Sequence, residues 1–133
     1  MKVIGYLDRE KYRCMSEHLI TNEVIITEER IQHIQERHPG DFERYVSYLK
    51  QIIEDPDYIL EANKPNTAVL LKEFEQQEER FKMILRIRVE SDPVGYKNSV
   101  LSFWYIGETT WRKTLKHKKC KFVNDVLQIR EGL

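Results

Sequence analysis

The spacing of apolar residues changes once along this chain, from helical before residue 58 to alternating after it. Residues 3–7 and 24–26 are short strand-like runs, separated by a polar, weakly patterned stretch. Thr27 then stands as an N-cap, with Glu28 and Glu29 in a first turn where the helix dipole favours anions. Ile31 and Ile34 supply that helix with its buried stripe, and Pro39-Gly40 stops it. A second helix restarts at Asp41, where Phe42, Tyr45, Val46, Leu49, Ile52 and Ile53 recur at helical steps. Asp55-Pro56-Asp57 ends it, because proline lacks the donor and pushes its predecessor out of the helical region.

Beyond this point residues 58–60, 67–74, 81–89 and 99–106 read as strands. Their connections are short, which favours antiparallel neighbours over crossovers. After Gly107, Thr109-Thr110 cap a last short helix to about residue 117, and the apolar segment 122–129 is open to either helix or strand. There is no internal repeat and no linker. The pattern predicts a single α+β domain over residues 1–133, with N-terminal helices packed on one face of an antiparallel sheet of about four strands.

Charge refines this picture. The 22 basic and 22 acidic residues cancel, which argues against a wholesale polyanion binder. Residues 1–80 hold 11 basic and 17 acidic side chains, and residues 81–133 hold 11 and 5, so the halves carry −6 and +6. A C-terminal half of that sign can present a basic face. Cys14 and Cys120 fit neither a disulfide framework nor a metal knuckle, and neither lies in a recognisable nucleophile motif. No apolar run approaches a bilayer span, and Asp8, Arg9 and Glu10 interrupt any signal-peptide core. The expectation is a cytoplasmic protein with free thiols.

Three clusters could carry chemistry. In residues 82–89, Met83, Leu85, Ile87 and Val89 alternate with Lys82, Ile84, Arg86 and Arg88, so one face is apolar and the other largely cationic, with Lys72 on the preceding strand expected to join it. On the first helix, Arg30, His33 and Arg37 line one stripe. His38 lies five residues after His33, about 140° around an ideal helix, so the two imidazoles converge only if Pro39 draws His38 out of helical geometry. Residues 98–121 combine hydroxyls (Ser99, Ser102, Tyr105), aromatics (Phe103, Trp104, Trp111) and a basic run beginning at Arg112, a mixture suited to single-stranded nucleic acid. Each cluster has a plain structural account as well: a solvated strand face, a charged helix surface, a half-buried core strand. The His spacing is not that of a zinc motif, and no glycine-rich phosphate loop is present.

The segments T-E-E-R-I-Q-H-I-Q-E-R-H-P (27–39), I-I-E-D-P-D-Y-I (52–59), N-S-V-L-S-F-W-Y (98–105) and T-W-R-K (110–113) together resemble the phage-associated branch of the barnase–EndoU–colicin–RelE-like nucleases. The resemblance covers about residues 23–113 and is sharpest from His33 to Pro39. It implies a barnase/RelE-like fold and a metal-independent endoribonuclease without cofactor, borne by a phage, mobile element or toxin system. A hydroxyl on the last core strand belongs to the pattern, and both Ser99 and Ser102 stand in reach of that role.

On this reading the ribose 2′-hydroxyl attacks its neighbouring phosphate, which calls for a base, an acid and a cation. His33 and His38 are the expected base and acid, in either order. Arg37, with Arg86 or Lys72, neutralises the developing charge; Ser102 or Tyr105 positions the phosphate; Trp111 stacks a base, with Arg88 and Arg112 on the backbone. RNA is then the substrate, with tRNA and rRNA as candidate pools, and an immunity or antitoxin protein is an expected partner. The competing reading is a non-catalytic RNA- or protein-binding module: an immunity, antitoxin or phage accessory protein.

Overall fold

The computed structural model describes residues 2–125. Seven strands form one mixed sheet in the order β1-β2-β6-β5-β4-β3-β7. They are β1 (Lys2–Tyr6), β2 (Glu23–Ile26), β3 (Tyr58–Glu61), β4 (Thr67–Phe74), β5 (Glu79–Arg86), β6 (Asn98–Ile106) and β7 (Cys120–Val123). The α-helices are α1 (Glu28–Arg37), α2 (Asp41–Tyr45), α3 (Leu49–Glu54) and α4 (Glu108–His117). The expectation of about four antiparallel strands is therefore corrected. The four-strand meander exists as β3 to β6, but β1, β2 and β7 extend it, and β2 runs parallel to β6.

Local chemistry accounts for most boundaries. The Thr27 hydroxyl accepts the Arg30 N–H at 3.2 Å and caps α1. The second helix breaks after Tyr45, passes through a 3₁₀ turn at Val46–Tyr48 and resumes as α3. The weakly patterned stretch before β2 contains a 3₁₀ turn whose Tyr12 is fully buried, its hydroxyl donating to the Ile53 carbonyl at 2.6 Å. Helix α4 starts at Glu108 with Gly107 as its N-cap, one residue ahead of the expected threonines. Of the ambiguous segment 122–129, residues 122 and 123 end β7, and residues 126–129 lie outside the described residues.

The sheet has two unlike faces. Val24, Ile26, Ile59, Leu70, Phe81, Met83, Leu85 and Phe103 pack with Ile34 of α1 and with Leu49, Ile52 and Ile53 of α3 in the main core. On the opposite face Leu60, Val69, Leu71 and Ile106 form a smaller cluster covered by Trp111 and Leu115 of α4. Because both faces of β4 are covered, its apolar run is continuous rather than alternating. Helix α4 reaches only part of its face. The β5–β6 side, bearing Lys82, Arg86, Ser99 and Ser102 in register, is left more open.

Lys72 does not join that basic face. It lies opposite Phe81, on the helix side, 3.2 Å from Asp55 and 3.4 Å from Asp57. Both Lys72 and Asp57 are buried, at 7% and 6% exposure. Burial pushes the Asp57 carboxyl up, against the Glu73 N–H and the Lys72 charge that favour its ionised form. Burial also opposes the charge on Asp55, but Lys11 and Lys72 together outweigh it and hold that carboxyl below the usual range. Removing one member of a buried pair strands its partner's charge, at about 3–5 kcal/mol. Lys72→Ala should therefore lose stability on that scale in urea titrations near neutral pH. The loss should shrink as the pH falls through the raised Asp57 pKa, where the carboxyl becomes neutral. An equal loss at every pH would contradict this role.

Candidate active site

The path from α1 into α2 places the key imidazole. His38 has φ −134° and ψ 71°, outside helical geometry, as a residue preceding proline should be. Its N–H still bonds the Ile34 carbonyl at 2.8 Å, so it closes the helix as it leaves it. Gly40 takes φ +84°, a left-handed conformation that a side chain would strain, and the chain turns at once into α2. The Asp41 carboxylate then accepts the Tyr105 N–H of β6 at 3.2 Å.

That contact exists because β6 is paired unevenly. On one side β5 accompanies it from Ser99 to Ile106; on the other β2 meets only Asn98 and Ser99. A register shift between Val100 and Ser102 leaves Leu101 as an extra residue just beyond the point where β2 departs. The rest of that edge is lined by α1 and the α1–α2 turn. His38 thereby reaches around the edge and stacks on Trp104, ring centroids 4.8 Å apart and planes 3° from parallel.

Trp104 lies directly opposite Lys82 of β5. The Lys82 ammonium is 5.6 Å from the indole centroid and donates to the Thr114 hydroxyl of α4 at 3.3 Å. Among the described residues no carboxylate pairs with it. Burial, then repulsion from Lys118, pulls its pKa below the ordinary lysine value. His38, Trp104 and Lys82, with Ser102 two residues along β6, form a cationic cleft floored by the sheet and flanked by α1 and α4.

The expected site residues divide around this cleft. Arg37 is exposed in the last turn of α1, next to His38. His33 opens onto a shallow groove on α1's own surface with Glu29, Arg30, Gln32 and Glu36. Arg86 and Ser102 share the cleft's sheet face, but Arg86 is held by Asp92 at 3.0 Å and by the Ile87 carbonyl. Arg88 follows β5 on the same alternation, with a buried Nε that has no hydrogen-bond partner among the described residues. Tyr105 points to the helix side, stacked on Tyr45 at 6.0 Å, since Ser102 and Trp104 take the other face. Trp111 packs edge-on to Tyr58 at 5.9 Å in the smaller core instead of standing free. Arg112 is exposed and paired with Glu108 at 2.6 Å within α4.

Lys82 and Trp104 stand in the sequence only as members of the basic strand face and the aromatic cluster, with no individual role assigned. The strand alternation exposed Lys82 as one cation among several; its lack of a counter-ion appears only in three dimensions. Of the thiols, burial pushes that of Cys14 up, and Cys120 lies on an exposed position of β7. Among the described residues no three or more His, Cys, Asp or Glu side chains converge as a metal site would require, and no helix is long and apolar enough to cross a membrane.

An imidazole and an unpaired ammonium thus stand together over an open sheet face of this α+β fold. The family comparison names the class: residues 4–118 match the model of the phage-Barnase-EndoU-ColicinE5/D-RelE like nuclease2 family, and the chain belongs to that family. No curated protein and no solved structure gives a significant match.

Burial pushes the His38 imidazole below its ordinary value; Asp41 opposes this, and the charges of Arg37 and His33 add to it. A histidine with a lowered folded pKa binds protons more readily when unfolded. Its contribution to stability is thus present above the unfolded pKa and lost as the pH falls through the folded one. An NMR titration should place His38 below 6.5. Trp104→Leu, by uncovering the ring, should move it upward. An unmoved titration would show that the stack does not set the environment of His38.

Proposed function

We propose that this protein is a metal-independent endoribonuclease whose reaction centres on His38 and Lys82. The observation that carries the reading is the pairing of a neutral-leaning imidazole with a half-buried ammonium that lacks a counter-ion, both against Trp104 on the open sheet face. A dianionic transition state supplies the charge such an ammonium lacks, in a site where partial exclusion of water strengthens the attraction. A ring nitrogen of His38 takes the proton of a ribose 2′-hydroxyl. The new 2′-oxygen–phosphorus bond forms as the bond to the 5′-oxygen breaks, leaving a 2′,3′-cyclic phosphate. Lys82 compensates the charge on phosphorus and returns a proton to the leaving 5′-oxygen. Ser102 and Arg37 hold the non-bridging oxygens, and His33 acts on His38 through its charge. Lys72, Tyr105 and Trp111 drop out of the machinery because each is committed to packing or pairing elsewhere.

The phage-type family supports a role as an effector carried by a phage or mobile element. A nuclease that meets its host's cytoplasmic RNA calls for a neutralising protein, and an inhibitor that blocks this chemistry would cover the His38–Lys82 cleft.

Purified protein should cut total RNA to fragments with cyclic phosphate ends, undiminished by excess chelator. His38→Ala should lower the rate about 10²–10⁴-fold, the worth of one general base or acid. Lys82→Ala should lower it about 10²–10³-fold, as when one charge-stabilising group is removed. His33→Ala should cost less than either. Cleavage at the wild-type rate by the His38 or Lys82 variant overturns the assignment, and binding without any cleavage would mark a non-catalytic RNA-binding module. Loss of activity in chelator would point to a metal-dependent reaction.

A further inference from the structure

The β5–β6 connection builds a second concavity at the far end of the same sheet face. Ser99 lies opposite Arg86 in β5 and beside Ile25 in β2. Ile25 alternates away from Val24 and Ile26, which belong to the main core, and so faces this side. Ile25, Thr27, Gly95, Tyr96, Lys97 and Ser99 line a cavity of about 340 Å³. That volume is at the small end of the roughly 300–1,000 Å³ range of ligand pockets, so it suits one ring system rather than a folded partner.

Its chemistry is mixed in a useful way. Ile25 makes an apolar floor, 5% exposed. The Tyr96 N–H turns back to the Pro93 carbonyl at 3.2 Å, in a connection where Gly95 takes φ +92°. Tyr96 stands 58% exposed at the rim, far more than an aromatic held by packing. The Thr27 hydroxyl already accepts the Arg30 N–H, which leaves its own proton free to donate, and Ser99 adds a second hydroxyl. Lys97, the one cation in that lining, is neutralised by Glu23, and the neighbouring Arg86 by Asp92. A flat, weakly polar ring with hydrogen-bonding edges matches this set; an acidic ligand does not.

We propose that this pocket takes a nucleobase of the RNA strand, neighbouring the cut and not at it. It rests on the nuclease reading above. Trp104 lies five positions beyond Ser99 along β6, with one step lost to the bulge, so the two sites are about 13–17 Å apart at the strand rise per residue. The scissile phosphate lies at His38 and Lys82. The chain then follows β6 past Ser102, and its base stacks on Tyr96 while Thr27 and Ser99 meet the base edge. The pocket thus contributes sequence preference at a position away from the reacting phosphate.

The test uses uncleavable 2′-O-methyl tetranucleotides titrated into ¹⁵N-labelled protein and into Tyr96→Ala and His38→Ala variants. Amide shifts should concentrate at Gly95–Ser99, and Tyr96→Ala should bind about tenfold more weakly, within the range for losing one base–aromatic stack. His38→Ala should keep the same pocket shifts. Unmoved pocket amides, or wild-type affinity in Tyr96→Ala, overturns the inference. On cleavable RNA, Tyr96→Ala should raise KM and flatten the base preference beside the cut while kcat stays near wild type; an unchanged preference also counts against the pocket. If the wild-type protein leaves all RNA uncut, the nuclease reading fails, and the titration still decides the pocket by itself.

Discussion

Beyond Ser99, β6 has a strand partner on one side only, because β2 pairs with it for two residues and then leads into α1. A half-paired strand in the middle of a sheet presents backbone donors and acceptors that must be met or exposed. Here the α1–α2 turn covers the edge, and the Asp41 carboxylate takes the Tyr105 N–H. The cover imposes the rest: Pro39 ends α1, Gly40 reverses the chain, and His38 is carried from the helix side of the sheet onto Trp104 on the opposite side. A structural need at a strand edge and the position of the candidate base are one arrangement.

The two faces of the sheet use charge differently. On the helix side, Lys72 is enclosed with Asp55 and Asp57, and Asn124 donates to Asp55 at 3.0 Å, so the strand end is locked to the loop after α3. On the other side, α4 leaves much of the β5–β6 face uncovered, and the cations along β5 differ in their partners. Arg80 is taken by Glu73 at 3.0 Å and Arg86 by Asp92 at 3.0 Å; Lys82 has only a threonine hydroxyl and an aromatic face. An ammonium without a counter-ion raises the local potential where matched pairs cancel, so a formally neutral protein still carries a locally positive face.

Much of the meander was legible in the sequence. The period change at residue 58, the Thr27 cap and the departure of His38 from helical geometry before Pro39 all rest on local chemistry, and local chemistry is what a sequence displays. The errors have a common cause in strand phase. β4 is buried on both sides, so its apolar run carries no alternation, and nothing in it told which face Lys72 would take. In β6 the extra residue at Leu101 resets the alternation, so Ser99 and Ser102, three positions apart, share one face, while Tyr105 takes the other. The parallel pairing of β2 with β6 joins residues more than 70 positions apart, beyond any local pattern. Lys82 was visible as a cation, but its unpaired state depends on Thr114 and Trp104, which reach it from other elements.

That long-range wiring has a bearing on when the cleft can exist. His38 belongs to the first third of the chain, and its platform, Trp104, is made 66 residues later. A chain still emerging from the ribosome carries the imidazole early, yet without β5 and β6 it has neither the indole beneath it nor Lys82 beside it. Contacts spanning such separations form late, since their loop-closure entropy must be met before they stabilise anything. The cleft is thus assembled by the closing steps of folding, after β6 has left the ribosome and paired with β5.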